Sequence, residues 1–131
     1  MADVNTLPRF LASYRSDEVL IATLDASLTA PAVAGTVWTA GANGSRIDRI
    51  VIKARMTTAA GIVRLFLHDG ATYFLFKEIT TTVAVPSATV QSFISELDLS
   101  ATPLYLGSGY TLRATTSTGD DCVVAAFGGD Y

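Results

Sequence analysis

The amino-acid sequence predicts an all-β protein, an antiparallel β-sandwich of jelly-roll type that carries an N-terminal extended arm or short helix. Threonine, valine, isoleucine and aromatic residues recur in short runs, which is the composition of β-strands. Glycine, proline, asparagine and serine separate these runs and favour turns. Segments with helical periodicity are scarce, and eight or so short strands without intervening helices favour two packed antiparallel sheets. At 131 residues the chain is long enough for one domain with one core.

The N-terminal segment, residues 1–27, is predicted to be an attachment arm, and residues 28–131 are predicted to form the sandwich domain. Phe10, Leu11 and Tyr14 lie at helical spacing, so this stretch suits a short helix. It equally suits an extended arm that lies on a neighbouring molecule. The sequence leaves both alternatives open.

The clearest strand lies at residues 49–55, where charged and apolar side chains alternate. Ile50, Ile52 and Ala54 occupy one set of alternate positions, and arginine and lysine side chains occupy the other. A period of two places the apolar groups on one face of a strand and the cations on the opposite face. The pattern therefore predicts a half-buried strand.

Two further strands are predicted on either side of a tight turn near residues 68–72. Before the turn every second side chain is a valine or a leucine, which places Phe66 on the exposed face together with Arg64. Asp69 and Gly70 are residues that tolerate turn geometry, the glycine at positive φ. The segment therefore predicts a β-hairpin.

The remaining strands are predicted from short apolar runs, and the turns between them from glycine, proline and polar residues. The strands are expected at residues 19–25, 34–40, 91–99, 109–116 and 122–128, and the turns at residues 41–44, 86–87, 107–109 and 118–120.

Charge and composition exclude several classes of protein. A net charge of −3 argues against a general nucleic-acid binder, which needs a strongly basic face. No stretch approaches eighteen uninterrupted apolar residues and the N-terminus lacks a secretory pattern, so we expect neither a membrane span nor export. Cys122 is the only cysteine, so the chain has no intramolecular disulfide and suits the reducing cytoplasm.

The candidates for chemistry are few. His68 is the only histidine and has no nucleophile motif beside it, so Asp69 is interpreted as a turn former and not as a catalytic partner. Asp120 and Asp121 suit either a calcium loop or an ordinary polar turn, and their spacing matches no known calcium loop. Cys122 is interpreted as a small buried hydrophobe. The sequence therefore predicts no enzyme, no catalytic residue, no cofactor and no metal site.

The aromatic residues are more informative than the polar ones. Residues 73–76 are consecutive large apolar side chains, so both faces of this strand carry them. Phe66 is expected to add to the exposed side. Large apolar side chains on both faces suggest that the second face is also covered. The sequence leaves three alternatives open for this face: the N-terminal segment covers it, another subunit or partner covers it, or it serves as a stacking platform for sugar.

Four segments carry a resemblance to a known class of proteins. Residues 39–54, 63–75, 110–116 and 126–131 resemble the small β-sandwich virion proteins encoded among the head and tail genes of tailed bacteriophages and prophages. The resemblance covers roughly residues 28–131 and is a pattern of strands and turns. It implies a structural protein, made in the host cytoplasm and built into the virion as a capsid decoration, head-fibre, neck or tail component. It brings no catalytic residues with it.

The predicted function is binding to major capsid or other virion structural proteins, with symmetric homo-oligomers and without nucleic acid or membrane. The predicted interface anchors are Phe10, Tyr14, Phe66 and Phe74. The alternative is a glycan-binding module for attachment to the host surface, in which Trp38 or residues 73–76 stack on sugar.

Overall fold

The computed structural model describes residues 10–131, which form nine β-strands and no helix. All strand pairs are antiparallel. The strands are β1 (Ser13–Ile21), β2 (Gly35–Thr39), β3 (Ser45–Ala54), β4 (Gly61–His68), β5 (Tyr73–Thr81), β6 (Ile94–Asp98), β7 (Leu104–Leu106), β8 (Thr111–Thr116) and β9 (Cys122–Asp130).

The strands belong to two sheets that share one core. The five-stranded sheet has the order β1-β9-β3-β6, and β7 also pairs with β3. The four-stranded sheet has the order β2-β8-β4-β5. The prediction of an all-β, antiparallel, two-sheet architecture is confirmed, and the arrangement is sandwich-like.

Alternating side chains from both sheets build the interior, as expected for strands that bury one face. The apolar set predicted for residues 49–55 points inward, and so do the alternate residues of β4. The fully or almost fully buried interior residues include Trp38, Ile47, Ile50, Ile52, Val63, Leu65, Leu112, Ala114, Val124 and Ala126.

The first described strand changes the expected extent of the N-terminal arm. β1 pairs with β9 along its whole length, from Ser13 opposite Asp130 to Ile21 opposite Cys122. Residues 13–21 thus lie in the sheet, although the sequence predicts an arm over residues 1–27 with a strand only from residue 19 onward. The helical alternative is wrong for Tyr14, because backbone pairing with β9 outweighs the helical spacing of the aromatic side chains. Residues 1–9, on which the rest of the arm prediction falls, lie outside the described residues.

The predicted hairpin between β4 and β5 is confirmed. Gly70 has a φ of 103°, which glycine adopts without the steric cost that other residues incur. The Asp69 carboxylate accepts hydrogen bonds from the backbone N–H groups of Ala71 and Thr72, at 2.9 and 2.7 Å. Asp69 is therefore a turn former, as predicted.

A β-bulge breaks the alternation of β5. Leu65 lies opposite Lys77 while Phe66 lies opposite Leu75, so Phe76 is the extra residue of the bulge. Phe76 packs against the core. Phe74 and Leu75 lie between the turn and the bulge, and both are exposed.

Candidate functional site

His68 lies at the end of β4 inside a group of packed side chains. Its ring is tilted by 43° against the Tyr73 ring, with 4.2 Å between the centroids. The backbone N–H of Gly70 donates a hydrogen bond to His68 Nδ1 at 3.3 Å. The Tyr73 hydroxyl accepts a hydrogen bond from Arg113 at 3.0 Å. The imidazole thus has a packing and turn-stabilising role in this corner.

The acidic residues near the end of the chain are engaged in loop contacts. Asp120 accepts hydrogen bonds from the backbone N–H of Ala59, at 2.8 Å, and from the Thr118 hydroxyl, at 3.0 Å. Asp121 forms an ion pair with Arg55 at 3.1 Å. Within residues 10–131 no three His, Cys, Asp or Glu side chains are grouped so that they could hold a metal ion. These carboxylates fasten the loop before β9 to the loop after β3.

Cys122 is a buried thiol at the start of β9. Its side chain is almost inaccessible to solvent. Burial, together with the smaller effect of the negative charges of Asp120 and Asp121, raises the pKa of the Cys122 thiol to about 11. At neutral pH the residue is protonated and behaves as a small apolar side chain, as the sequence analysis expected.

Phe66 is fully buried, and this corrects the prediction that it is an exposed interface anchor. Its strand neighbours Leu65 and Leu67 pack on the interior, so the ring lies on the outer face, as expected. The edge of Tyr73 covers it, with ring centroids 5.7 Å apart and planes at 84°. The hairpin places Tyr73 of β5 beside β4. On the other side of β4, Arg113 of β8 lies opposite Phe66. Neighbouring side chains of the same sheet therefore cover this ring.

Trp38 is also fully buried, so the prediction of a sugar platform on this residue is wrong. The Arg15 guanidinium lies 3.8 Å from the centre of the indole ring. A cation over an aromatic face is a favourable contact, and here it closes the end of the core.

Phe10, Tyr14 and Phe74 are the predicted anchors that the structure leaves exposed, at 79%, 76% and 47% of their possible accessible area. They do not form one surface. Tyr14 lies on β1 at the edge of the five-stranded sheet, and Phe74 lies on β5 at the edge of the four-stranded sheet.

The edge of the four-stranded sheet is a candidate interaction surface. β5 is nine residues long and pairs only with β4 among the described strands. Phe74 and Leu75 are both exposed on it, on opposite faces of the strand. An edge strand presents unpaired backbone N–H and C=O groups, and exposed apolar side chains there favour pairing with another chain. We call Phe74, Leu75 and the free backbone of β5 the β5 edge.

A second candidate surface, which no local pattern in the sequence predicts, lies on the outer face of the five-stranded sheet. One depression, of about 570 Å³, is lined by Arg46, Tyr105, Tyr131 and neighbouring loop residues. The other, of about 410 Å³, is lined by residues that come from three strands. Its lining consists of Tyr14, Arg15, Ser16, Asp48, Phe127 and Gly128. We call the two depressions together the tyrosine face.

A polar network underlies one end of the tyrosine face. Arg15 donates to both carboxylate oxygens of Asp130, at 2.9 and 3.1 Å, and to the backbone carbonyl of Thr39 at 2.7 Å. The Ser45 hydroxyl donates to Asp130 at 2.6 Å. The hydrogen bonds from Arg15 hold the pKa of the Asp130 carboxyl below its usual value; partial burial acts against them, and the bond from Ser45 acts with them.

No helix in the part of the chain that the structure describes has the length and apolar character needed to cross a lipid bilayer.

Comparison with protein-family models finds no match for this chain. A search of curated proteins finds no match either.

Proposed function

We propose that this protein is a structural component of the virion of a tailed bacteriophage or prophage, made in the host cytoplasm and held in the particle by protein–protein contacts. A capsid decoration or head-fibre subunit is the form that we favour. The observation that carries the proposal is the β5 edge, where one side of the strand pairs with no other described strand and two neighbouring large apolar side chains are exposed, one on each face. Such an edge suits a protein whose role is to join other subunits.

The arrangement of strand pairs supports a jelly-roll topology. β1 pairs with β9, β2 with β8, β4 with β5, and β3 with both β6 and β7. If β6 and β7 are counted as one interrupted strand, the chain has eight strands. The first then pairs with the eighth, the second with the seventh, the third with the sixth and the fourth with the fifth. A long antiparallel hairpin rolled into two sheets has this pairing, and viral capsid domains often use it.

Phe10 and the β5 edge are the contacts that we assign to partner proteins. Phe10 precedes β1 and is the most exposed of the predicted anchors. An attachment arm ending before β1 would carry it onto a neighbouring subunit. A standard interface buries about 1,600 Å² in total, and repetition of many copies around a shell turns modest contacts into durable attachment.

The test is incorporation into particles. Virions are purified from cells in which the wild-type chain or a variant is the only source of the protein, and its amount per particle is measured by quantitative mass spectrometry. We expect the wild-type protein at a fixed copy number and the double variant Phe74→Ser, Leu75→Ser at less than about a tenth of it, because both apolar contacts at the edge are lost.

The matched control replaces two exposed apolar residues outside the β5 edge, Val83→Ser with Val85→Ser, and should leave the copy number unchanged. Absence of the wild-type protein from purified virions would contradict the virion proposal itself. Equal losses in both double variants would contradict the assignment of the contact to the β5 edge. Immunogold labelling of the same particles assigns the protein to the head, the neck or the tail.

A further inference from the structure

We propose that the tyrosine face binds a neutral oligosaccharide. This inference is independent of the virion proposal, because it uses different residues and the tyrosine face lies on the sheet that does not contain the β5 edge.

The aromatic rings of the tyrosine face are exposed. Tyr14 and Tyr105 expose 76% and 63% of their accessible area, and each lines one of the two depressions. Phe127 lines the same depression as Tyr14 and is its diagonal neighbour in the strand register. A pyranose ring has a face of aliphatic C–H groups that packs on an aromatic ring, and tyrosine adds a hydroxyl that stays in water.

The spacing between the two tyrosine rings suits more than one sugar unit. Tyr14 lies opposite Gly129, Gly129 lies opposite Arg46, and Arg46 lies opposite Tyr105. Three strand spacings of about 4.8 Å separate the two tyrosine-bearing strands by roughly 14 Å. Leu11 packs over Gly129 between them, close to where a Cβ would lie. Two stacking positions at this separation suit an extended chain of sugars rather than a single sugar.

Polar side chains lie between the rings. Arg46 lines one depression and Asp48 lines the other, and the two side chains approach within 2.9 Å. Both groups are planar, and together they offer hydrogen-bond donors and acceptors to the hydroxyl groups of a sugar. The Ser16 hydroxyl is a further polar group in the second depression.

The balance of charge on the tyrosine face favours a neutral ligand. The arginines of this face already have acidic partners: Arg46 pairs with Asp48, and Arg49 lies 3.8 Å from Glu96 and over the Phe127 ring. Neither sign of charge is left in excess to attract an acidic sugar or a phosphate group. The volumes of about 570 and 410 Å³ are within the range of small-ligand sites.

The test is a glycan array with neutral oligosaccharides of bacterial and eukaryotic origin, probed with the full chain. Titration calorimetry then follows for the best ligand. We expect Tyr14→Ala and Tyr105→Ala each to weaken binding at least about tenfold, because each removes one stacking ring. Both side chains are exposed, so the variants should keep the thermal stability of the wild-type protein, which is measured in parallel.

The matched control is the double variant Val83→Ser, Val85→Ser, which removes two exposed apolar side chains outside both the tyrosine face and the β5 edge and should leave sugar affinity unchanged. The proposal is overturned if the wild-type chain binds no neutral glycan on the array, or if binding survives both tyrosine substitutions. It is also overturned if the tyrosine variants bind sugar normally but are lost from purified virions, because the tyrosine face would then be a protein contact. A protein that binds sugar but is absent from virions would support this inference and refute the virion proposal.

Discussion

At the scale of single residues, Arg15 connects more parts of the molecule than any other side chain discussed above. It donates to Asp130, to Asp17 and to the backbone of Thr39, and it covers the buried face of Trp38. The substitution Arg15→Lys keeps the positive charge but loses the planar guanidinium group, with its several N–H donors, and its stacking contact with Trp38. We expect the free energy of unfolding, measured by urea denaturation, to fall by about 1–3 kcal/mol.

Arg49→Lys is the matched control for this prediction. The Arg49 side chain is about half exposed and lies 3.8 Å from Glu96, so its ion pair is weak and screened by solvent. We expect a change below about 0.5 kcal/mol. Equal losses in the two lysine variants would show that the planar guanidinium group and the stacking of Arg15 contribute nothing.

Asp130 gives the molecule a predictable response to acid. Its carboxyl has a lowered pKa in the native protein, chiefly through the hydrogen bonds from Arg15, so the unfolded chain binds a proton more readily than the native one. The stabilisation is therefore complete above the unfolded pKa, near 3.8, and is lost as the pH falls through the lower native pKa. For Asp130→Asn we expect a constant loss of stability relative to wild type above about pH 5, and a loss that shrinks below about pH 4.

Urea denaturation of both proteins across this pH range provides the measurement, and the difference between them cancels the other titrating groups. A stability difference that stays constant into the most acidic samples would refute the role given to Asp130.

At the scale of the elements, the pairing of β9 with β3 depends on the absence of a side chain at Gly128. A Cβ built there would collide with the backbone carbonyl of Arg46 and would lie 2.9 Å from the Cα of Ile47. Both obstacles are backbone atoms, which can move only if the strands separate. We expect Gly128→Ala to lower the free energy of unfolding by about 3 kcal/mol or more, or to prevent soluble expression.

Gly107→Ala, in the loop that follows β7, is the control for this prediction. A Cβ at Gly107 would meet only the Tyr110 ring, at 3.8 Å, which is an ordinary contact distance. Thermal denaturation should therefore show a change of less than about 1 kcal/mol. A Gly128→Ala protein as stable as the Gly107→Ala protein would contradict the assigned steric role.

The sequence predicts best those elements whose side chains alternate. β3 and β4 have a clear period of two and were placed on the correct faces. β7 has only three residues, which is too short for any period, and it was missed. The sequence predicts the start of β1 at residue 19 instead of residue 13, because the first residues of this strand are mostly polar. Their inclusion in the sheet depends on pairing with β9, at the other end of the sequence.

The candidate surfaces were predicted less well for the same reason. Phe66 was assigned to the correct face, but the sequence gives no sign that Tyr73 covers it. Tyr14 and Tyr105 face the same side only because β1 and β7 flank β9 and β3 in the sheet. Local periodicity does not encode pairing between distant segments. The cover of Phe66 by Tyr73 and the shared face of Tyr14 and Tyr105 therefore cannot be predicted from it.

At the scale of the whole molecule, the β5 edge predicts self-association. The free protein is expected to form a homo-oligomer through this edge, because paired edges satisfy the backbone groups and cover Phe74 and Leu75. Light scattering coupled to size-exclusion chromatography should give a mass that is a multiple of 13.8 kDa for the wild-type protein. The variant Phe74→Ser, Leu75→Ser should elute as a monomer, whereas Val83→Ser, Val85→Ser should not.

A monomeric wild-type protein at concentrations of tens of micromolar would refute self-association. The β5 edge would then bind a different protein. The incorporation experiment tests for that contact separately.

The pairing of β1 with β9 has a consequence for how quickly the native state is reached. Ser13 meets Asp130, so the five-stranded sheet needs contact between segments at opposite ends of the described chain. Closing so long a loop costs chain entropy before any of its contacts can offset that cost. We therefore expect refolding over milliseconds to seconds, as in other proteins dominated by non-local strand pairs.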